Sequence, residues 1–257
     1  MNVLHAIILS IVEGITEFLP ISSTGHMILT GTLLKIPETE FVKSFEIIIQ
    51  LGAILAVLLL YWKKLLTNKQ TFIRVAIAFV PTAIVGLVLY KFIKDILLGN
   101  PWIVVWSLGI GGILLILLEK FHKEKTEQKN EIGSMSYPQA FLIGVFQSLS
   151  IIPGVSRAAA TIVGALLIGM KREPAVEFSF MLAIPTMAAA TGLDLIKSGK
   201  HFTGTQYELL AIGFIGAFIT ALITVKWFIG FIKTHTFIPF AIYRILAALA
   251  FYFFVLR

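Results

Sequence analysis

The sequence predicts an all-α polytopic membrane protein: six transmembrane helices and two re-entrant helix–loop–helix hairpins, arranged as an inverted-topology repeat. Three observations predict it. The chain is 58% hydrophobic and 14% charged, and several bilayer-length runs carry no ionised side chain. Two other apolar runs, 4–34 and 138–170, are interrupted by Pro, Gly and Ser. The interrupted runs echo each other, and three unbroken runs follow each of them.

The first hairpin, 4–34, holds two apolar pieces that are each short for spanning. Irregular backbone at membrane depth has to be shielded by protein or line a wet cavity, which is why this segment is read as re-entrant. Spans follow at 45–62, 74–90 and 102–118. Eighteen residues of helix cover about 27 Å, close to the hydrocarbon thickness. Residues 119–137 have mixed charge and no apolar period, so they read as a cytoplasmic linker. The second hairpin, 138–170, precedes spans at 175–195, 208–228 and 238–256. Trp62, Tyr90, Trp102, Tyr207 and Trp227 fall near span ends, as interfacial aromatics do.

The whole chain, 1–257, is thus one membrane domain built of two repeats, 1–118 and 138–257. Three spans per half is an odd number, so the second half enters upside down. Glu13-Gly-Ile-Thr pairs with Gln147-Ser-Leu-Ser. After a one-residue gap Leu19-Pro20 pairs with Ile152-Pro153, which sets Ser23 opposite Ser156. Broken helices meeting near the midplane are how such repeats build an ion or substrate site.

Loop charges set the orientation. Lys63, Lys64, Lys69, Arg74, Lys120, Lys123, Lys125, Lys129, Lys171, Arg172, Lys226 and Lys233 fall on one side. They outnumber Lys35, Lys43, Lys91, Lys94, Lys197, Lys200 and Arg257, so the first side is cytoplasmic and both termini lie outside. The net charge of +7 comes from these short loops and does not point to nucleic acid. Met1 to His5 holds no Lys or Arg, so a cleaved signal peptide is not expected. The absence of Cys excludes disulfides, thiolate metal sites and Cys nucleophiles.

Charge inside the apolar runs is expensive and therefore points to function. Glu13 and Glu17, four residues apart, share one helix face. Two carboxylates that close cannot both stay ionised in a dry site without a cation or a shared proton. Oxygen ligands without Cys indicate a hard cation, Mg²⁺ or Ca²⁺. Ser22, Ser23, Thr24 and Gly25 follow Pro20, where a chain break leading into a helix offers an anion cradle; capping of that helix is the competing role. His26, three residues past Ser23, is a candidate base, acid or phosphoryl acceptor. Arg157 is the lone cation of its hairpin, suited to clamping a phosphate or to pairing with a glutamate. Gly154, Ser156 and Thr161 add donors around it. Glu46, Gln50 and Glu177 read as supporting groups or as interhelical hydrogen bonds, Gly109, Gly111 and Gly112 as close helix packing, and Arg244 as pairing with a neighbour or snorkelling. His5, His122, His201 and His235, near loops or span ends, support no metal site.

These residues resemble a known family. Glu13-Gly-Ile-Thr-Glu-Phe-Leu-Pro-Ile-Ser-Ser-Thr-Gly-His26 looks like the first signature of the undecaprenyl-diphosphate phosphatases of the bacitracin-resistance type, and Pro153-Gly-Val-Ser-Arg157 resembles the second. Phe45 to Gly52 and Glu177 to Thr186 are similar to further family segments. The resemblance implies a divalent-cation-dependent hydrolase of the bacterial plasma membrane, its site facing outside, that converts a C55 prenyl diphosphate to the monophosphate carrier and phosphate. The family's active-site residues fall on Glu13, Glu17, Ser23, His26, Ser156, Arg157 and Thr161. Where the family continues Ser-Arg-Ser-Gly, this chain has Arg157 followed by Ala158, Ala159 and Ala160. Ser23 is the preferred nucleophile with His26 or a glutamate as base; His26 as nucleophile and direct water attack stay open.

The expected partners are undecaprenyl diphosphate and membrane lipid, with room for a homodimer. The competing reading is a transporter or flippase of an anionic lipid or ion on the same inverted repeat, because one fold hosts either activity.

Overall fold

The structure is a computed structural model and describes residues 1–89, 92, 97, 100–122, 131–198 and 202–256. Tyr90, Lys91, Lys94, Lys123, Lys125, Lys129, Lys200, His201 and Arg257 lie outside the described residues. The first hairpin region forms α1 (Val3–Thr16) and α2 (Ser23–Leu33). Then come α3 (Glu40–Thr67), α4 (Lys69–Val88) and α5 (Pro101–Phe121). The second hairpin region gives α6 (Tyr137–Ser148), a 3₁₀ turn at Leu149–Ile151 and α7 (Arg157–Leu167). It is followed by α8 (Arg172–Ser198), α9 (Gly204–Ile232) and α10 (Ile238–Phe251), which continues as a π-helix at Tyr252–Leu256.

Local chemistry sets the helix starts. Asn2, Thr39, Asn68 and Asn100 each turn a side-chain oxygen onto a backbone N–H of the first turn, and Ser136 with Gln139 forms a reciprocal capping box. Length follows from unbroken apolar sequence. Five helices (α3, α4, α5, α8 and α9) are long and apolar enough to cross a bilayer, as in a multi-pass membrane protein. The sixth expected span is shorter, Ile238–Phe254. Helices α1 and α7, of 14 and 11 residues, rise only about 21 and 16 Å.

Of the expected linker, 119–137, residues 123–130 lie outside the described residues, and its first residues are helical. Helix α5 runs on to Phe121, and the Glu119 carboxylate is buried, not solvated. Arg172 Nη2 donates to Glu119 Oε2 at 2.5 Å and Phe237 N to Oε1 at 2.8 Å. A carboxylate matched by distant donors reads locally as a loop charge, which is why the sequence misplaced this boundary.

The two halves pack crosswise. Helix α1 lies against α9 and α6 against α4; α3 packs on α9 and α4 on α8; α3 meets α8, and α5 meets α10. Each contact type therefore recurs when the halves exchange roles. The hairpins match in detail. Helices α2 and α7 both start after a serine at positive φ, Ser22 at 72° and Ser156 at 74°. Both end in the same pair of bonds: Lys35 N to Thr32 O with Ile36 N to Gly31 O, and Gly169 N to Leu166 O with Met170 N to Ala165 O. The structural counterpart of Ser156 is therefore Ser22, not Ser23. No gap separates Glu13 from Ser22 relative to Gln147 and Ser156. The prolines sit one position out of register, and matching them shifts the alignment.

The main core lies between α3, α6, α7, α8 and α9, around Phe178, Phe180 and Phe228. Phe18, from the first turn, packs edge-on against Phe180 at 5.5 Å. This contact anchors the first hairpin's turn on the second half.

Candidate active site

The two hairpin turns meet. Glu17 directly follows α1 and keeps helical dihedrals, while Ser23 and Arg157 are the first residues of α2 and α7. Ser23 Oγ donates to Glu17 Oε2 at 2.5 Å, and Arg157 Nη2 donates to Glu17 Oε1 at 3.1 Å. The ion pair is buried, with side chains 9% and 6% exposed. Arg157 Nη1 donates to Ser179 O at 2.9 Å, and the Phe18 ring lies 5.5 Å from the guanidinium carbon. Arg157 Nε is buried and has no partner. Of the two sequence readings of Arg157, this geometry shows the glutamate pair and leaves one donor unspent.

An open pocket of about 140 Å³ lies over this constellation. Its walls are Glu17, Ser22, Ser23, Thr24 and Gln50 from the first half, with Ser150, Pro153, Gly154, Ser156, Arg157 and Met187 from the second. The N-terminal ends of α2 and α7 converge there. Their first N–H groups lack intrahelical partners, and the two helix dipoles favour negative charge at the same place. Positive φ is rare for a non-glycine residue, and such strain concentrates at ligand sites. Ser156 Oγ caps Ala159 N at 3.2 Å, whereas Ser22 makes no side-chain cap bond. Capping thus accounts for one of the two serines and leaves the other's hydroxyl to the cradle.

Four expected site residues lie off the pocket wall. Gly25 packs against Val104 of α5, so its small size serves helix packing. Thr161 donates to Ser179 Oγ at 2.6 Å and reaches Arg157 through that hydroxyl. His26 accepts or donates at both ring nitrogens: Nδ1 lies 2.8 Å from Ser22 O and Nε2 2.7 Å from Tyr243 Oη. The ring is not brought onto the Ser23 hydroxyl; Glu17 is. Glu13 lies one helical turn behind Glu17 and is wholly buried. Position 158 does not face the pocket either. Ala158 packs into the main core, so the family hydroxyl missing there removes nothing from the wall.

Glu13 carries the argument about a cation. Both of its carboxylate oxygens are buried without a hydrogen-bond partner. Its counterpart in the second half, Gln147, is a neutral amide whose nitrogen donates to Thr82 and Thr186 hydroxyls at 2.9 and 3.0 Å. A buried carboxylate without donors, one turn from a second carboxylate, fits a hard cation. Among the described residues no group of three or more His, Cys, Asp or Glu side chains is suited to hold a metal. Glu13 and Glu17 are the carboxylates that would hold such a cation, with water and phosphate oxygens completing its ligands, as is usual for Mg²⁺.

Sequence reasoning missed Ser150, Met187 and Ser179, and it gave Gln50 only a supporting role. Uncharged polar residues and methionines are ordinary in spans, so nothing marked them. Arg244 does not snorkel: it is fully buried, and the neighbours it pairs with are main-chain carbonyls. Glu177 pairs with Lys64 of α3 at 2.5 Å, an interhelical contact away from the pocket wall.

The chain is also similar to known proteins. Residues 6–250 match the family described as bacitracin resistance protein BacA. A protein of Sulfurihydrogenibium sp. (strain YO3AOP1) named undecaprenyl-diphosphatase is 55% identical over 253 residues, covering 98% of this chain and 99% of that one. Proteins of the same name from Aquifex aeolicus (53% over 247 residues, 96% of each chain) and Persephonella marina (48% over 256 residues, 100% of each) are also similar.

Proposed function

The chain belongs to the bacitracin resistance protein family BacA, and from that membership we propose that the pocket between its two hairpin turns removes the terminal phosphate of undecaprenyl diphosphate. The protein is a polyprenyl-diphosphate phosphatase, releasing undecaprenyl phosphate and inorganic phosphate. Recycling that carrier serves cell-wall synthesis and confers resistance to bacitracin. The observation that carries the site assignment is the contact of Ser23, Glu17 and Arg157 at the convergence of two helix N-termini.

In this reading Ser23 Oγ attacks the terminal phosphorus and passes its proton to Glu17 Oε2, which already accepts it. The bond from phosphorus to the bridging oxygen breaks, and undecaprenyl phosphate departs as an anion. Water then adds to the phosphoserine, the Ser23 oxygen leaves with a proton, inorganic phosphate forms, and Glu17 releases its proton to solvent. Arg157 and the cradle N–H groups stabilise charge on the transferred phosphoryl group. Glu13 and Glu17 would hold a divalent cation, which when bound neutralises diphosphate charge.

The proposal sets the protein in the bacterial plasma membrane with six spans and both hairpins re-entrant. The repeats are 1–118 and 138–257, and the site faces outside. Crosswise helix packing supports the inverted repeat, and the bias of Lys and Arg among the loops supports the sidedness. The prenyl tail lies against the lipid-facing helices.

The test is phosphate release from undecaprenyl diphosphate by purified protein in detergent. Release that is lost with chelator and in Glu17→Gln supports the proposal; movement of a lipid tracer across vesicles without hydrolysis contradicts it. Phosphoenzyme trapped on His26 instead of Ser23 would overturn the nucleophile.

A further inference from the structure

Arg244 of α10 heads the fully buried side chains of the described residues by size, at 0% exposure. Nη1 donates to Pro20 O at 3.1 Å and Val155 O at 3.0 Å. Nη2 donates to Ser107 O at 3.0 Å and Gly154 O at 2.9 Å, and Nε to Leu108 O at 3.4 Å. A guanidinium has five N–H groups, so all of them are met by main-chain carbonyls. Those carbonyls come from three segments: the first hairpin turn, the second hairpin turn and the middle of α5. No carboxylate is bonded to Arg244 among the described residues.

The sequence makes room for this group. A methyl at Gly111 would collide with Arg244 Nη2, and one at Gly112 with Ala241 O and Ile245 while crowding the Arg244 side chain. The two glycines form the seat on α5. The peptide plane links the seat to the pocket: C=O and the following N–H point in opposite directions. With Val155 O turned onto Arg244, the Ser156 N–H is turned away from it, and Ser156 lines the pocket. Pro20 stands two residues before Ser22, the other cradle serine.

We propose that Arg244 is a positioning residue of the phosphate site, fixing the spacing of the two hairpin turns so that the N-termini of α2 and α7 address one phosphate. The proposal rests on the reading of the pocket as the hydrolytic site. An ammonium cannot replace the fork, because three donors cannot serve five carbonyls on three segments. Among the described residues no acid pairs with this charge, which adds to the pocket's attraction for anions.

Two variants test this in purified protein. Arg244→Lys keeps the charge and loses the fork; Gly111→Ala keeps the arginine and displaces it. Gly86→Ala on α4, where a methyl meets nothing within 4 Å, is the control. Each is measured for thermal midpoint, for kcat and KM, and for competitive inhibition by inorganic phosphate. The expected result is that folded Arg244→Lys and Gly111→Ala lose at least tenfold in kcat and bind phosphate at least threefold more weakly, with the control unchanged. A folded variant of either kind with control-like kcat and phosphate inhibition overturns the proposal. Should Gly111→Ala fail to fold, Arg244→Lys alone decides. A wild-type protein without hydrolysis would instead remove the hydrolytic reading, so the two failures are separable.

Discussion

Glu17 holds two partners at once, the Ser23 hydroxyl on one oxygen and Arg157 on the other. Its replacement by Gln preserves shape but takes no proton. We expect Glu17→Gln to lower kcat by about 10²–10⁴-fold, the range for losing a general base, with a smaller change in KM. Steady-state kinetics check this, and a loss confined to KM would contradict the base role. Arg157→Lys is not conservative here, because the fork serves Ser179 and Glu17 from separate nitrogens. Removing one preorganised donor costs about 3 kcal/mol of transition-state stabilisation, or on the order of 10²-fold in kcat. Glu13→Gln should shift the cation dependence of hydrolysis to higher concentration; an unchanged titration would remove Glu13 from the cation site. The sequence revealed Glu13, Glu17, Ser23 and Arg157 because charge or hydroxyls at membrane depth stand out. It could not show that His26 is held by Ser22 and Tyr243, since Tyr243 is brought beside it only by the fold.

At the scale of elements, short helices α2 and α7 owe their direction to the turns before them. Gly154 sits at φ 91° against Val104 O, so an alanine there is both strained and obstructed. Gly154→Ala should lower stability by about 1–3 kcal/mol and reduce activity, since the turn lines the pocket. Gly144→Ala provides the contrast. Its methyl would press on Ala78 O where α6 meets α4, away from the pocket wall. A similar stability loss with an unchanged KM is expected, measured by thermal unfolding alongside kinetics. The hairpins themselves were legible because Pro, Gly and Ser interrupt apolar runs. Their register was not: Pro20 and Pro153 invite alignment, but the matching dihedrals belong to Ser22 and Ser156.

For the whole molecule, periodicity and hydropathy disclosed the long helices, whereas their partners needed the structure. That α1 packs on α9 and α6 on α4 cannot be read from either sequence half alone, although the two contacts exchange when the halves exchange roles. The end of α5 was hidden because Glu119 finds Arg172 and Phe237 from distant segments. The central claim is that turns remote in sequence form one catalytic pocket. The cysteine-free chain permits a direct measurement with Thr24→Cys and Ser150→Cys combined, both residues lying on the pocket wall. A short thiol-reactive crosslinker should join the pair, abolish phosphate release, and be slowed by undecaprenyl diphosphate. Failure to crosslink, or full hydrolysis by the crosslinked protein, would contradict the shared pocket.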